Sequence, residues 1–239
     1  MSRISIQQIA HEIEADGWKI KSTEYKNLDT PLEFECAEGH LVIAPYKKIR
    51  VRRECPVCAQ NQFKNLKETL APKQRDVTRT LALDQSTHIT GFAIFDGHQL
   101  VQYGTYVTEA PGEYERIHEV NMWLASIIKN TAPDVIGIEG IQYQKEMGVT
   151  TFQTLARLQG VLIESCMQAK LLFKVCNTNT WRNHCGVQGR SRSDRKTSMQ
   201  RLVKEWYDIK VSDDVADAIG IGKFVSDTLQ SQTQIINWE

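Results

Sequence analysis

The spacing of apolar positions changes near residue 79, and the change divides the chain. Before it, Ile6, Ile9 and Ile13 recur at helical spacing behind Ser5. Gln8 follows that serine as in a capping box, and Gly17 sits where a helix would end. The runs WKIKSTEY and LEFEC read as strands on either side of a turn at KNLDTP. After residue 79, RTLALD, HITGFAIF and QLVQYGTY form three successive strands joined by tight turns, one of them Asp-Gly at 96–97. Ile117, Val120, Leu124, Ile127 and Ile128 then make a helical stripe. The stretch PDVIGIEG is nearly all apolar, as a strand buried on both faces is. Phe152, Leu155, Leu158 and Leu162 mark another helix, KLLFKVC a further strand, and 177–194 a polar loop. A helix around RKTSMQRLVKEWY follows, and a last one over 213–229 carries Ala218, Ile221, Val225 and Leu229 on one side. Three antiparallel strands followed by alternating helix and strand predict an α/β fold, a mixed sheet with helices on both faces.

A polar stretch from roughly 60 to 78 separates the two patterns. The expected organisation is a small module over 1–64, a linker over 65–78, a large domain over 79–232 and a tail over 233–239, which suits a chain of 239 residues. No internal repeat or low-complexity tract is visible. Lys+Arg and Asp+Glu both number 29, so net charge says nothing about partners, but the distribution does. Residues 41–75 hold nine Lys/Arg against two Glu, and 182–201 hold six against one Asp, enough to make basic surfaces on a neutral protein. The N-terminus lacks the apolar core of a signal peptide, and no apolar run approaches membrane-spanning length. A cytoplasmic location is therefore expected, where six cysteines are thiols or metal ligands rather than disulfides.

Cys36, His40, Cys55 and Cys58 have the spacing C-x3-H-x14-C-x2-C. Two ligand pairs on tight turns can close a tetrahedron around Zn²⁺, and four protein ligands make the site structural. A segment this small gains from a metal staple. Between the pairs, Lys47, Lys48, Arg50, Arg52 and Arg53 can meet a phosphate backbone. The segment resembles the small treble-clef or ribbon-like zinc modules attached to DNA-processing enzymes.

Carboxylates mark the large domain. Asp84 ends its first strand, Glu139 ends the apolar strand, and Asp214 and Asp217 share one face at the start of the final helix. If the first and fourth strands are neighbours, Asp84 and Glu139 emerge side by side. A helix across them can add Asp214 and Asp217. Such a quartet repels itself unless cations neutralise it. Asp213 and Asp214 also suit a helix start, but that accounts for neither Asp217 nor the strand-end acids.

LALDQSTHITGFAIF, VIGIEGIQY and DDVADAIGIG resemble, in order, the motifs of the RuvC-type Holliday junction resolvases of the RNase H-like superfamily, over about 79–230. The resemblance implies an RNase H-like five-stranded mixed sheet and a crossover junction endodeoxyribonuclease acting in DNA recombination and repair. Asp84, Glu139, Asp214 and Asp217 would hold two Mg²⁺ or Mn²⁺ ions, the chemistry that in-line phosphodiester hydrolysis needs. Lys196 resembles the family's basic residue after the loop. Tyr143 lies near the aromatic side chain the family presents to junction bases. Arg182, Arg190, Arg192 and Arg195 are phosphate candidates. Two symmetric cuts imply a homodimer on branched DNA. The zinc-like module departs from the compact bacterial resolvase, and a bacterial or bacteriophage-infected host cell is the expected setting.

Three other readings stay open. A different RNase H-like nuclease, cutting flaps or RNA–DNA hybrids, would use similar carboxylates. The stretch DQSTHITGFAIFDGHQLV also resembles the phosphate-binding turn of actin-like ATPases and sugar kinases, although no second copy is present. A catalytically dead DNA-binding domain is a third possibility, against which the intact acidic set argues.

Overall fold

The computed structural model describes residues 4–52, 55, 57–58, 76–143 and 148–229. Most of the expected linker (65–75), the tail, and Arg53 lie outside the described residues, as does the side chain of Arg52. The chain divides into two compact units, Met1–Lys64 and Asn65–Glu239. No described helix is long and apolar enough to cross a membrane.

In the first unit, helix α1 (Ile6–Glu14) is started by a reciprocal capping box between Ser5 and Gln8. Strands β1 (Lys19–Ile20), β2 (Pro31–Glu35) and β3 (Leu41–Pro45) form an antiparallel sheet in that order, and helix α2 (Tyr46–Arg52) follows directly. The first strand is far shorter than the run WKIKSTEY predicts: past Ile20, Lys21 N–H still donates to the Glu33 carbonyl, but Glu33 N–H donates to the Ser22 hydroxyl rather than to backbone, and the ladder stops there. Ile9, Ile13, Trp18, Leu32, Phe34, Tyr46 and Ile49 make a small core that also contains Cys36 and Cys55.

In the second unit, β4 (Arg79–Asp84), β5 (Ile89–Asp96), β6 (Gln99–Val107), β7 (Val135–Glu139) and β8 (Leu172–Cys176) form one mixed sheet in the order β6-β5-β4-β7-β8. The first three pair antiparallel, and β4–β7 and β7–β8 pair parallel. At the start of β4, the buried Arg79 guanidinium forks onto both oxygens of Asp96 at 2.6 Å and donates to the Thr131 carbonyl at 3.0 Å. This clamp fixes the end of the sheet away from Asp84.

Alternation of side chains assigns the faces. Trp123 of helix α3 (Glu113–Thr131) packs on Phe92 and Tyr106, so α3 covers one face. Helix α4 (Val149–Gln168) packs against α3 and β8. Helix α7 (Asp213–Leu229) covers the opposite face, with Ala82, Ala93 and Phe95 in its core cluster. It runs antiparallel to β4, from Asp214 over Gly91 to Ser226 beside Thr80. Small residues permit this approach: a β-carbon at Gly137 would lie 2.8 Å from Val225, and one at Gly222 2.5 Å from Phe95.

The segment 177–194 is not a loop throughout. Helix α5 (Thr178–Cys185) occupies its first half, capped by the Asn177 side chain and by Gly186 in the left-handed region. Trp181 and Cys185, one turn apart, are the residues it buries, beside Gly220 of α7. Helix α6 (Arg192–Tyr207) starts slightly earlier than RKTSMQRLVKEWY implies, with a capping box between Ser191 and Asp194.

Candidate active site

The sheet register places the two strand-end acids. Leu83 pairs with Ile138 across the parallel β4–β7 ladder, so Asp84 and Glu139 are the next residues on each strand. Asp84 has the parity of Ala82, and Glu139 that of Gly137, which both meet α7. Both carboxylates therefore project toward the face that α7 covers. Asp84 is opposite Gly91 on β5. A β-carbon on Gly91 would lie only 2.0 Å from the Asp214 carbonyl oxygen, so the missing side chain lets the start of α7 sit against the end of β4. This brings Asp214 and Asp217 to Asp84 and Glu139.

The electrostatics follow from this crowding. Burial, then repulsion from Glu139, Asp217 and Asp214, pushes the Asp84 carboxyl well above the usual carboxylate range. Burial raises Asp217 to about 6, although the Arg182 guanidinium beside it pulls the other way. Asp84 keeps some accessible surface despite its dense surroundings. Carboxylates that repel one another while still open to solvent suit a hard cation with oxygen ligands. Gln85 braces the end of β7: its Nε2 donates to the Glu139 carbonyl at 2.7 Å, and its buried Oε1 has no hydrogen-bond partner among the described residues.

Side chains remote in sequence hold the acids. The Nε1 of Trp181 donates to Glu139 Oε1 at 3.2 Å, and Gln159 donates to the Glu139 carbonyl at 2.7 Å. Arg182 Nη2 lies 2.9 Å from Asp217 Oδ2. Lys196 Nζ lies 2.6 Å from Asp213 Oδ2, which places it at the rim of the site. Trp181, Gln85, Gln159 and Asp213 were not predicted as site residues. Adjacency to Asp84 marks Gln85, and to Arg182 marks Trp181, but nothing local marks Gln159.

Tyr143 is exposed and meets Phe152 edge-on. Arg190 and Arg192 are exposed, and Arg195 donates to the Arg190 carbonyl at 3.0 Å. In the first unit the basic run is partly neutralised: Lys47 pairs with Asp29, and Arg50 lies 3.6 Å from Glu12. Lys48 is exposed.

The first unit also contains a compact set of soft ligands. Cys36 Sγ, His40 Nδ1, Cys55 Sγ and Cys58 Sγ lie within 4.8 Å of one another, and among the described residues no other group of three or more such ligands is so tight. The acidic quartet is thus the looser assembly. Cys36 to Cys58 is 3.7 Å, and His40 Nδ1 is 3.5 Å from Cys36 and 3.2 Å from Cys58. A zinc tetrahedron has S–S edges of about 3.8 Å and S–N edges of about 3.6 Å. Gly39, at φ +79°, makes the turn that returns the chain to His40.

Residues 80–223 match the family model described as crossover junction endodeoxyribonuclease RuvC. The chain belongs to the RuvC family. No curated protein is a significant sequence match. Among solved structures, Thermus thermophilus RuvC in complex with a Holliday junction substrate superposes with a TM-score of 0.55 at 10% identity, covering 65% of this chain and 98% of that one. A second Thermus thermophilus RuvC structure gives 0.51 at 11% identity, over 64% and 97%. The yeast mitochondrial Holliday junction resolvase Ydc2 gives 0.46 at 12% identity, over 73% and 86%. The five-stranded mixed sheet with its flanking helices is thus a RuvC-like fold.

Proposed function

We propose that the chain is a divalent-metal-dependent endonuclease that hydrolyses phosphodiester bonds at four-way DNA junctions, with its chemistry in the 79–232 domain. The observation that carries this reading is the convergence of Asp84, Glu139, Asp214 and Asp217 at one sheet end, in a chain of the RuvC family. A RuvC of the same fold has been captured on a Holliday junction substrate.

Asp84, Glu139, Asp214 and Asp217 would hold two Mg²⁺ or Mn²⁺ ions, which when bound activate water and stabilise the attacking and leaving oxygens of an in-line displacement. Gln85 and Gln159 hold the Glu139 backbone carbonyl, and Trp181 donates to its carboxylate, limiting the reorganisation it needs. Lys196 at the rim brings positive charge toward a phosphate. Arg182, Arg190, Arg192 and Arg195 extend that charge along a strand, fixing position rather than sequence. Tyr143 offers an exposed ring to an unstacked base.

Cys36, His40, Cys55 and Cys58 would bind a structural Zn²⁺ in the 1–64 module, whose Lys47, Lys48, Arg50, Arg52 and Arg53 add phosphate contacts. The enzyme would act as a homodimer, one site per cut strand, in a bacterial or phage-infected cell. The test is a Mg²⁺ cleavage assay on a labelled four-way junction beside duplex, flap and RNA–DNA hybrid. Paired nicks in the junction alone support the reading. Cleavage of flap or hybrid instead overturns the substrate, and no cleavage of any of them overturns the activity.

A further inference from the structure

Of the arginines in the second unit that meet carboxylates, Arg79 and Arg182 are the most buried, and they do so differently. Arg79 grips Asp96 through both Nε and Nη2, adds the Thr131 carbonyl, and leaves only 5% of its side chain exposed. That is a structural clamp. Among the described residues the Arg182 side chain makes one hydrogen bond, Nη2 to Asp217 Oδ2 at 2.9 Å, and 22% of it is exposed. Its remaining N–H groups are available to another acceptor. Its guanidinium also lies 5.0 Å from the centroid of the Trp181 ring. That ring is fully buried and tied to Glu139, so it offers the cation a fixed platform. The backbone beneath is equally fixed, since the Arg182 carbonyl accepts from Val187 N–H at 2.9 Å. Only the side chain is free to move.

We propose that Arg182 is an exchangeable placeholder: it neutralises Asp217 in the metal-free enzyme and, when a divalent ion takes that carboxylate, moves to a non-bridging phosphate oxygen of the bound DNA. The inference rests on the acidic quartet's role as the metal site. A dication on Asp217 repels the guanidinium that lies 2.9 Å from the same carboxylate, and the phosphate is the anion the substrate adds. Five acids (Asp84, Glu139, Asp213, Asp214, Asp217) face two bases here, Arg182 and Lys196. Removing one base should therefore strengthen metal binding, whereas removing a residue that orients a ligand should weaken it. The sign separates the two roles.

The experiment is Mn²⁺ binding to the full chain without DNA, by calorimetry, for wild type, Arg182→Gln and Asp84→Asn. Arg182→Gln should bind Mn²⁺ about tenfold more tightly, the scale of losing one charge-assisted contact that competes with the ion. The same variant, bound to a four-way junction in Ca²⁺, should have its salt-dependence slope reduced by about one phosphate contact. Unchanged or weaker Mn²⁺ binding by Arg182→Gln overturns the placeholder while leaving the acidic site intact. If Asp84→Asn binds Mn²⁺ as wild type does, the metal-site reading itself fails, and the placeholder with it. Should Arg182→Gln not fold, crystals of wild type with and without Mn²⁺ decide the question. Loss of the 2.9 Å contact on loading supports exchange, and its persistence beside a bound ion overturns it.

Discussion

Substituting Asp217 by asparagine should stabilise the metal-free protein, and only above the acid range. The Asp217 carboxyl is raised from 3.8 to about 6, chiefly by burial. In the folded chain it therefore keeps a proton that the unfolded chain has already released above about pH 4. Between about pH 4 and 6 folding takes up a proton, so stability falls as pH rises, and the loss is complete above about pH 6. Two units at 1.36 kcal/mol each make that loss about 3 kcal/mol. The figure already includes the Arg182 contact, so no separate allowance is needed. For a domain of this size, about 3 kcal/mol corresponds to roughly 6–12 °C in Tm. Asparagine resembles the protonated acid in shape and lacks the charge. In EDTA at pH 8, Asp217→Asn should melt roughly 6–12 °C above wild type by calorimetry, and the two should converge near pH 4. Adding Mg²⁺ at pH 8 should raise wild type more than the variant, because the ion relieves the repulsion that the variant has already lost. Parallel Tm profiles across this pH range would refute the reasoning.

Gly91→Ala should destabilise the second unit by about 1–3 kcal/mol, since the new methyl would press on the Asp214–Val215 backbone, which has no flexible side-chain end to yield; thermal unfolding measures it, and an unchanged Tm would contradict the packing of α7 on β5. Trp181→Phe should lower kcat with little change in junction affinity, because it removes the indole donor to Glu139 and retains most of the buried ring. Binding and single-turnover cleavage separate these effects, and equal loss of both would count against a positioning role. Cys55→Ser should release stoichiometric zinc, read by metal analysis, and unfold the first unit, read by the fluorescence of Trp18 in its core. Wild type purified without zinc would contradict the site.

Much of the candidate site was legible because its acids mark element ends. Asp84 and Glu139 each close an apolar strand, and β4 and β7 are parallel neighbours, so one register places both. Asp214 and Asp217 follow from helical spacing. How closely α7 would approach the sheet was not legible. That depends on Gly91, Gly137 and Gly222, which in a sequence look like any other glycines in strands or helices. Helix α5 was hidden because it buries little beyond Trp181 and Cys185, and its polar residues match loop composition. Asn177 and Gly186 at its ends were the available signal. The basic run of the first unit looked more charged in sequence than in space, since Asp29 and Glu12 come from distant segments to meet Lys47 and Arg50. Partners so far apart in the chain leave no local pattern.

The central claim, that the acidic convergence at Asp84 cuts four-way DNA, is tested most directly with a labelled junction in Mg²⁺, comparing wild type and Asp84→Asn for cleavage and for binding. The account predicts paired symmetric nicks by wild type, none by Asp84→Asn, and comparable junction binding by both. Junction cleavage that survives in a folded Asp84→Asn protein would contradict it.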